Sequence, residues 1–300
     1  MSKRLVMCTS TGCIDYGPKE YRTLPIEKIR VKVLFNDKEY QEGEDLDPVW
    51  FYNQLETIED PKNHLPRTAM PSVEEIGAKF EEAIKNGYEE IIVIALSSGL
   101  GGTYNLIRLV AEDYQDRIKI TVIDSKIACF NEGLLAIKAY EMVEKGLPTE
   151  EIIKEINWMM KHQQLLGVAV RLDYLIYNGR LKGGKAFMGK MMHICPVIHF
   201  DNDGVLTSMA TVRTSKKAME KTVELLKDYL KDRKSEDYIL GHVFTGPSTL
   251  PMLKEAEAKE GIVCNSPDVI MSTVSGCHTG PWVAGYYVLF LRRDDEPLDE

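Results

Sequence analysis

Short runs of β-branched residues alternate along this chain with longer segments of helical period, and that alternation limits the folds open to it. A strand, a helix and a second strand in succession bring the two strands back parallel, so repeated units of this kind build a largely parallel sheet with helices packed on it. Residues 91–96 (Ile-Ile-Val-Ile-Ala-Leu) and 118–123 (Ile-Lys-Ile-Thr-Val-Ile) read as two such strands, both buried. Amphipathic helices surround them. Val73, Ile76, Phe80, Ala83 and Ile84 mark one apolar face, and Leu135, Tyr140 and Val143 mark another. A third helix, over 149–162, turns Ile152, Ile153, Ile156, Met159 and Met160 inward. Ser72 with Glu75 forms a capping box that starts the first of these helices. Around Asn36-Asp37, residues 31–35 and 39–40 suggest a small hairpin that edges or covers the first sheet.

The second half changes pattern. Strands over 195–200 and 205–212 are joined across Asn202-Asp203-Gly204, and a helix follows with Met219, Val223, Leu226 and Leu230 on one stripe. A strand at 238–243, a helix at 248–260 and strands at 268–272 and 285–292 complete it. The chain of 300 residues exceeds the ~100–200 typical of one domain. The expected architecture is therefore two α/β domains, 1–163 with a largely parallel sheet and 164–300 with a mixed sheet and helices.

Composition sets the outer limits. With 44% hydrophobic and 28% charged residues the chain has the make-up of a globular protein, and a net charge of −9 with no block of Lys or Arg argues against a broad nucleic-acid or anionic-membrane surface. No segment approaches the ~18 apolar residues of a membrane span. The N-terminus passes from Lys3-Arg4 to Thr9, Ser10, Thr11 and Gly12 without the apolar run of a signal peptide, so a cytoplasmic protein without membrane insertion is expected. Six scattered cysteines show no Cys-x-x-Cys and no Cys/His ligand spacing, which predicts buried thiols and no metal or other cofactor.

Residues 96–104 carry the clearest chemical signal. Ser97, Ser98, Gly99, Gly101, Gly102 and Thr103 lie where a strand gives way to a helix, a junction whose unpaired N–H groups receive anions. Helix capping accounts for one of these hydroxyls but not for two serines among three glycines, which favours an anion site. A dinucleotide fingerprint fails because Tyr104 stands at the third glycine position. Thr68 precedes the capped helix, and His278 lies between Gly276 and Gly280 in what reads as a glycine-rich turn after a strand ending near Thr273. Those glycines suggest close backbone approach. Residues 179–185 match Gly-x-x-x-x-Gly-Lys, but Ala186 replaces the hydroxyl residue that would hold Mg²⁺. Arg180, Lys182, Lys185 and Arg213 are left as cations able to face a phosphate or an acidic partner. No hydrolase triad or paired carboxylate motif is recognisable.

Taken in order, these junctions resemble the DegV family, the fatty-acid-binding subunits of bacterial fatty acid kinase. The family's Thr-Ser-Gln-Pro-Ser segment is similar to residues 68–72, its Ser-Ser-x-Leu-Ser-Gly-Thr-Tyr segment to 97–104, its Gly-Arg to Gly179-Arg180 and its His-Thr-Gly-Pro-Gly to 278–282. The resemblance implies a long-chain acyl tail in a buried tunnel between or beside the two domains. It also implies carboxylate ligands drawn from Thr68, Ser97, Ser98 and His278, with Arg180, Arg213 and Thr279 near the head group or the partner. On this reading the chain is not itself an enzyme, and a separate ATP-dependent kinase subunit phosphorylates the bound acid. Ala69, Met70 and Gly101 stand where the resemblance implies Ser, Gln and Ser, Thr9-Ser10 where it implies Asp-Ser, and Trp282 where it implies Gly, so that Trp282 is expected to narrow or reshape the tunnel. The alternative is a small-molecule phosphotransferase or hydrolase that uses the 179–185 loop and His278. A sensor of an apolar metabolite would look the same in sequence.

Overall fold

The computed structural model describes residues 3–187 and 194–298. In chain order the strands are β1 (Arg4–Thr9), β2 (Ile26–Ile29), β3 (Lys32–Phe35), β4 (Lys38–Gln41), β5 (Arg67–Ala69), β6 (Glu90–Ala95), β7 (Lys119–Asp124), β8 (Gln163–Ala169), β9 (Cys195–Phe200), β10 (Leu206–Val212), β11 (Tyr238–Phe244), β12 (Val269–Ile270) and β13 (Val283–Phe290). The helices are α1 (Lys19–Arg22), α2 (Pro48–Glu56), α3 (Val73–Lys85), α4 (Thr103–Glu112), α5 (Phe130–Glu144), α6 (Thr149–Lys161), α7 (Asp173–Tyr177), α8 (Ser215–Leu230), α9 (Thr249–Glu260) and α10 (Thr273–Thr279).

The architecture is mixed α/β. One sheet is wholly parallel, in the order β2-β1-β6-β7. A second has the order β10-β9-β8-β13-β11-β12, antiparallel except where β12 joins β11. The expected hairpin forms as β3 and β4, but it does not edge the first sheet. β5 pairs with the other side of β3, setting Thr68 opposite Val33, and the three strands form a sheet of their own. This small sheet packs with residues of the second half: Val33, Phe35, Phe51 and Leu55 share one core with Tyr174, Val274 and Cys277.

α3 and α4 cover one face of the parallel sheet, where Ile76, Phe80, Ile107 and Val110 meet Met7, Ile91 and Val93. The capping box at Ser72 and Glu75 forms as the sequence predicts. α5 covers the other face, and it departs from the amphipathic pattern. It touches β1 and β6 on one side and β13 and β8 on the other, so its residues from Phe130 to Ile137 are all buried. A helix held between two sheets has no solvent face to keep polar. The short strand expected to end near Thr273 instead stops at Ile270. Ser272 then caps α10, its hydroxyl accepting from Ser275 N–H. Among the described residues no helix is long and apolar enough to cross a membrane.

The start of α5 is held tightly. Asn131 donates its amide to the Val288 carbonyl of β13 at 2.8 Å. A Cβ on Gly133 would lie 2.1 Å from the Gly12 carbonyl oxygen, so the backbone of residues 10–12 sits directly on the helix. Glu132 is fully buried. Thr11 donates to its Oε2 at 2.7 Å, and Thr9 and Cys8 donate to Oε1. Burial pushes this carboxyl up to about 8, against the smaller downward effect of those hydroxyls and the thiol. The folded protein therefore keeps a proton that the unfolded chain releases near pH 4.5. The corresponding stability is complete below that pH and is lost as the pH rises through 8. Glu132→Gln is expected to remove this loss, raising stability relative to the parent by on the order of 2–3 kcal/mol at pH 7 and changing it little at pH 4.5. Urea midpoints measured across that range test the sign; a variant no more stable at pH 7 than at pH 4.5, relative to the parent, contradicts it.

Candidate ligand-binding site

A cavity of about 320 Å³ lies where the three sheets converge. Its volume is within the ~300–1,000 Å³ range of small-molecule sites. Most of its wall is apolar. Leu96 and Leu100 come from the end of β6 and the loop after it, Leu165 from β8, Ile198 and Phe200 from β9, and Leu206 from β10. Ala128 and Cys129 enter from the start of α5, and Val274 from α10. Its polar lining is Thr11, Thr68, Thr103, Arg180, Ser275, His278 and Thr279 with the backbone at Gly101 and Gly102, and Thr68, His278, Arg180 and the Met70–Gly102 contact mark one end of it.

Each of these is placed by a local device. Thr68 sits on β5, and α10 packs against that strand, so Thr68 Oγ1 and His278 Nε2 come within 3.1 Å. His278 is therefore not in a loop but in the last turn of α10. Asn178 donates to the Cys277 carbonyl at 2.8 Å, and Arg180 Nη1 donates to the Asn178 carbonyl at 2.9 Å, which brings the guanidinium to the same end. Gly179, at φ 67, makes the turn between them. Among the described residues no carboxylate pairs with Arg180. His278 is pushed down to about 4, first by burial and then by repulsion from Arg180. At neutral pH the cavity thus presents one cation beside a neutral imidazole, whose buried Nδ1 has no partner among the described residues. α4 begins at the same end with no side chain capping it. Its first N–H groups carry the positive end of the helix dipole and have no acceptor within the helix.

The serines of the junction are engaged elsewhere. Ser97 is fully buried and donates to the Gly204 carbonyl at 2.7 Å, in the hairpin turn between β9 and β10. A Cβ on Gly99 would meet that same carbonyl oxygen at 2.6 Å. Ser98 donates both its hydroxyl and its N–H to Asp124. The Ser97-Ser98-Gly99 segment thus docks another part of the chain, while Gly101, Gly102 and Thr103 face the cavity. The close approach expected at Gly276 and Gly280 is likewise made by protein: Tyr52 lies over the first and Tyr174 over the second. Trp282 is not among the cavity's lining residues; it lies under the Arg171 guanidinium at 4.7 Å. Arg213 is exposed just before α8 and away from the cavity. Ala69, Met70 and Gly101, the positions that lack the family's polar side chains, do line it.

The alternative reading of residues 179–185 loses its geometry. That loop follows the short helix α7 rather than a strand, and Lys182 pairs with Asp201 at 3.0 Å. It is not the strand-loop-helix cradle that phosphate binding of this type requires.

The cavity is thus mainly apolar and lies among the sheets of an α/β protein, and its wall includes a guanidinium that pairs with no carboxylate among the described residues and the start of a helix without a side-chain cap. The chain belongs to the DegV family: the family model described as "Uncharacterised protein, DegV family" matches residues 5–291. Protein DegV of Bacillus subtilis is 35% identical over 218 residues, covering 72% of this chain and 75% of that protein. A crystal structure of DegV from Bacillus subtilis, described as a fatty acid binding protein, aligns with a TM-score of 0.81 at 30% identity over 97% of this chain and all of that one. The crystal structure of a stearic acid-binding protein from Eubacterium ventriosum aligns with a TM-score of 0.81 at 26% identity, over 97% of this chain and 98% of that one.

The electrostatics at the polar end have a direct readout. Histidine ring resonances followed by NMR are expected to show His278 neutral until the pH approaches 4. In Arg180→Gln its pKa should rise, because the nearby cation is gone. A His278 that titrates near 6.5 in the parent contradicts this arrangement.

Proposed function

We propose that this protein binds a long-chain fatty acid in the cavity, with the carboxylate at the end formed by Thr68, His278, Arg180 and the start of α4. The observation that carries the reading is Arg180, a guanidinium without a carboxylate partner among the described residues, on the wall of a mainly apolar chamber. A carboxylate is costly to bring out of water unless donors replace its hydration, and a guanidinium with uncapped helix N–H groups supplies them. Relatives described as binding fatty acids, with the same fold, support the choice of ligand. Ser97 and Ser98 are left out of the ligand set because their hydroxyls already have protein acceptors.

We further propose that the protein has no catalytic step of its own and presents the carboxylate to a separate ATP-dependent kinase subunit in the cytoplasm. The polar end supports this, since Met70, which lines it, is 49% exposed and Gly102 is exposed beside it. The head group is therefore the end of the ligand nearest the surface.

Mass spectrometry of organic extracts from the purified protein is expected to detect a fatty acid. Absence of any co-purifying acid, with no binding on addition, would overturn the reading. Thr68→Ala and Arg180→Gln should each weaken binding about 10- to 100-fold, the loss of one hydrogen bond to a charged group being worth ~1.5–3 kcal/mol. Ser98→Ala should leave binding unchanged. For the second step, acyl phosphate trapped as the hydroxamate should form only when protein, fatty acid, ATP and kinase subunit are all present. Acyl phosphate formed without the kinase subunit would make this chain an enzyme.

A further inference from the structure

The second sheet carries another cluster of side chains, which shares no residue with the cavity. His242 lies on β11, Glu257 on α9, and Cys264 in the segment between α9 and β12. His242 is 3% exposed and Glu257 8%, while Cys264 is half-buried. One ligand atom from each lies within 4.8 Å of the other two. We propose that these three residues bind a divalent cation of the zinc class.

Two of the distances fit tetrahedral coordination. Bonds of ~2.1 Å to nitrogen or oxygen and ~2.3 Å to sulfur place N···S and S···O edges at about 3.6 Å. Cys264 Sγ lies 3.5 Å from His242 Nε2 and 3.7 Å from Glu257 Oε1. The other carboxylate oxygen of Glu257, Oε2, lies 2.6 Å from His242 Nε2, a hydrogen bond that must give way for the imidazole and the carboxylate to take up the ion together. The far side of the imidazole is already arranged for a ligand. His242 Nδ1 lies 2.6 Å from Asp268 Oδ1, and Lys254 holds the other oxygen of Asp268 at 2.6 Å. A carboxylate on Nδ1–H sets the tautomer that leaves the Nε2 lone pair pointing at a metal.

The donor set also selects the ion. A thiolate and an imidazole suit zinc and its borderline-soft neighbours and are poor ligands for calcium or magnesium, which take oxygen. One thiolate and one carboxylate balance a 2+ charge, so the occupied site adds no net charge to a mostly buried place. Three protein ligands leave a fourth position for water. The competing arrangement is an imidazolium bridging Glu257 and Asp268, which needs no sulfur. Cys264 therefore separates the two.

The experiment uses the full chain under reducing conditions with Co²⁺ alone as probe. One equivalent of Co²⁺ is expected to produce a thiolate-to-cobalt charge-transfer band in the near ultraviolet, and Zn²⁺ should abolish it. Cys264→Ser, a mild change at a half-buried site, should lose the band while keeping fatty-acid binding and the parent far-ultraviolet circular dichroism. Zinc should raise the thermal midpoint of the parent and not of Cys264→Ser. No band in the parent, or a band of equal strength in Cys264→Ser, overturns the proposal. Neither result depends on what occupies the cavity.

Discussion

The structure turns on the contact between the backbone of residues 10–12 and the first turn of α5. Gly12 and Gly133 meet with no room for a Cβ on either, and Glu132 is drawn beneath the end of β1 by Thr9 and Thr11. This seats the helix between two sheets rather than on one. The approach has an electrostatic cost, because a carboxyl is removed from water, and the protein meets it by keeping the acid protonated and hydrogen-bonded. Thr9 also accepts from Leu96 N–H at 3.0 Å, so one hydroxyl ties the helix, β1 and the exit of β6 together. An acid in place of Thr9 would set a second carboxylate against Glu132; the threonine offers a donor instead.

The cavity follows from that seating. The chain enters α5 through Cys129 at φ 59, a conformation that residues with a side chain rarely adopt, and this entry places Ala128 and Cys129 on the cavity wall. Because α5 keeps the two large sheets apart, the ends of β6, β8, β9 and β10 surround a space instead of packing into one another. Ser97 ties the exit of β6 to the hairpin turn at Gly204, and the strands on either side of that turn supply Phe200 and Leu206 to the cavity wall. A segment rich in serine and glycine is thus part of the construction of the chamber and not of its polar end.

This separates what the sequence shows from what it cannot. Strands and helices with a strong period were legible: β6, β7, β9, β10, α3, α6 and α8 form where the pattern places them, since burial on one face or two imposes periodicity directly. α5 was misread as amphipathic because its partner on the second side lies far away in the chain. The site was legible as a set of junctions, and Thr68, Arg180, His278 and Thr279 do converge. Glycine and serine together at residues 97–99 signalled close approach and a need for donors, but not the identity of what approaches. At Gly99, Gly276 and Gly280 it is the protein itself. Glu42 and Glu132 were invisible for the same reason. Thr273 and Val274 at the start of α10 satisfy the first, and Thr9 and Thr11 the second, over more than a hundred residues of chain. The grouping of His242, Glu257 and Cys264 leaves no short spacing to read, since strand, helix and loop contribute one residue each.

The polar end of the cavity is economical in charge. In a chain of net charge −9 the cavity wall carries one guanidinium that pairs with no carboxylate among the described residues, and the neutral His278 beside it keeps the local charge to a single cation. A carboxylate entering there meets one full charge and a set of dipoles, enough to neutralise it and to orient it against Thr68. Affinity need not come from this end alone. On the proposed reading, each methylene of a fatty acid buried along Leu165, Ile198 and Phe200 adds about 0.8 kcal/mol, so the tail adds affinity in proportion to its length while the head sets its register.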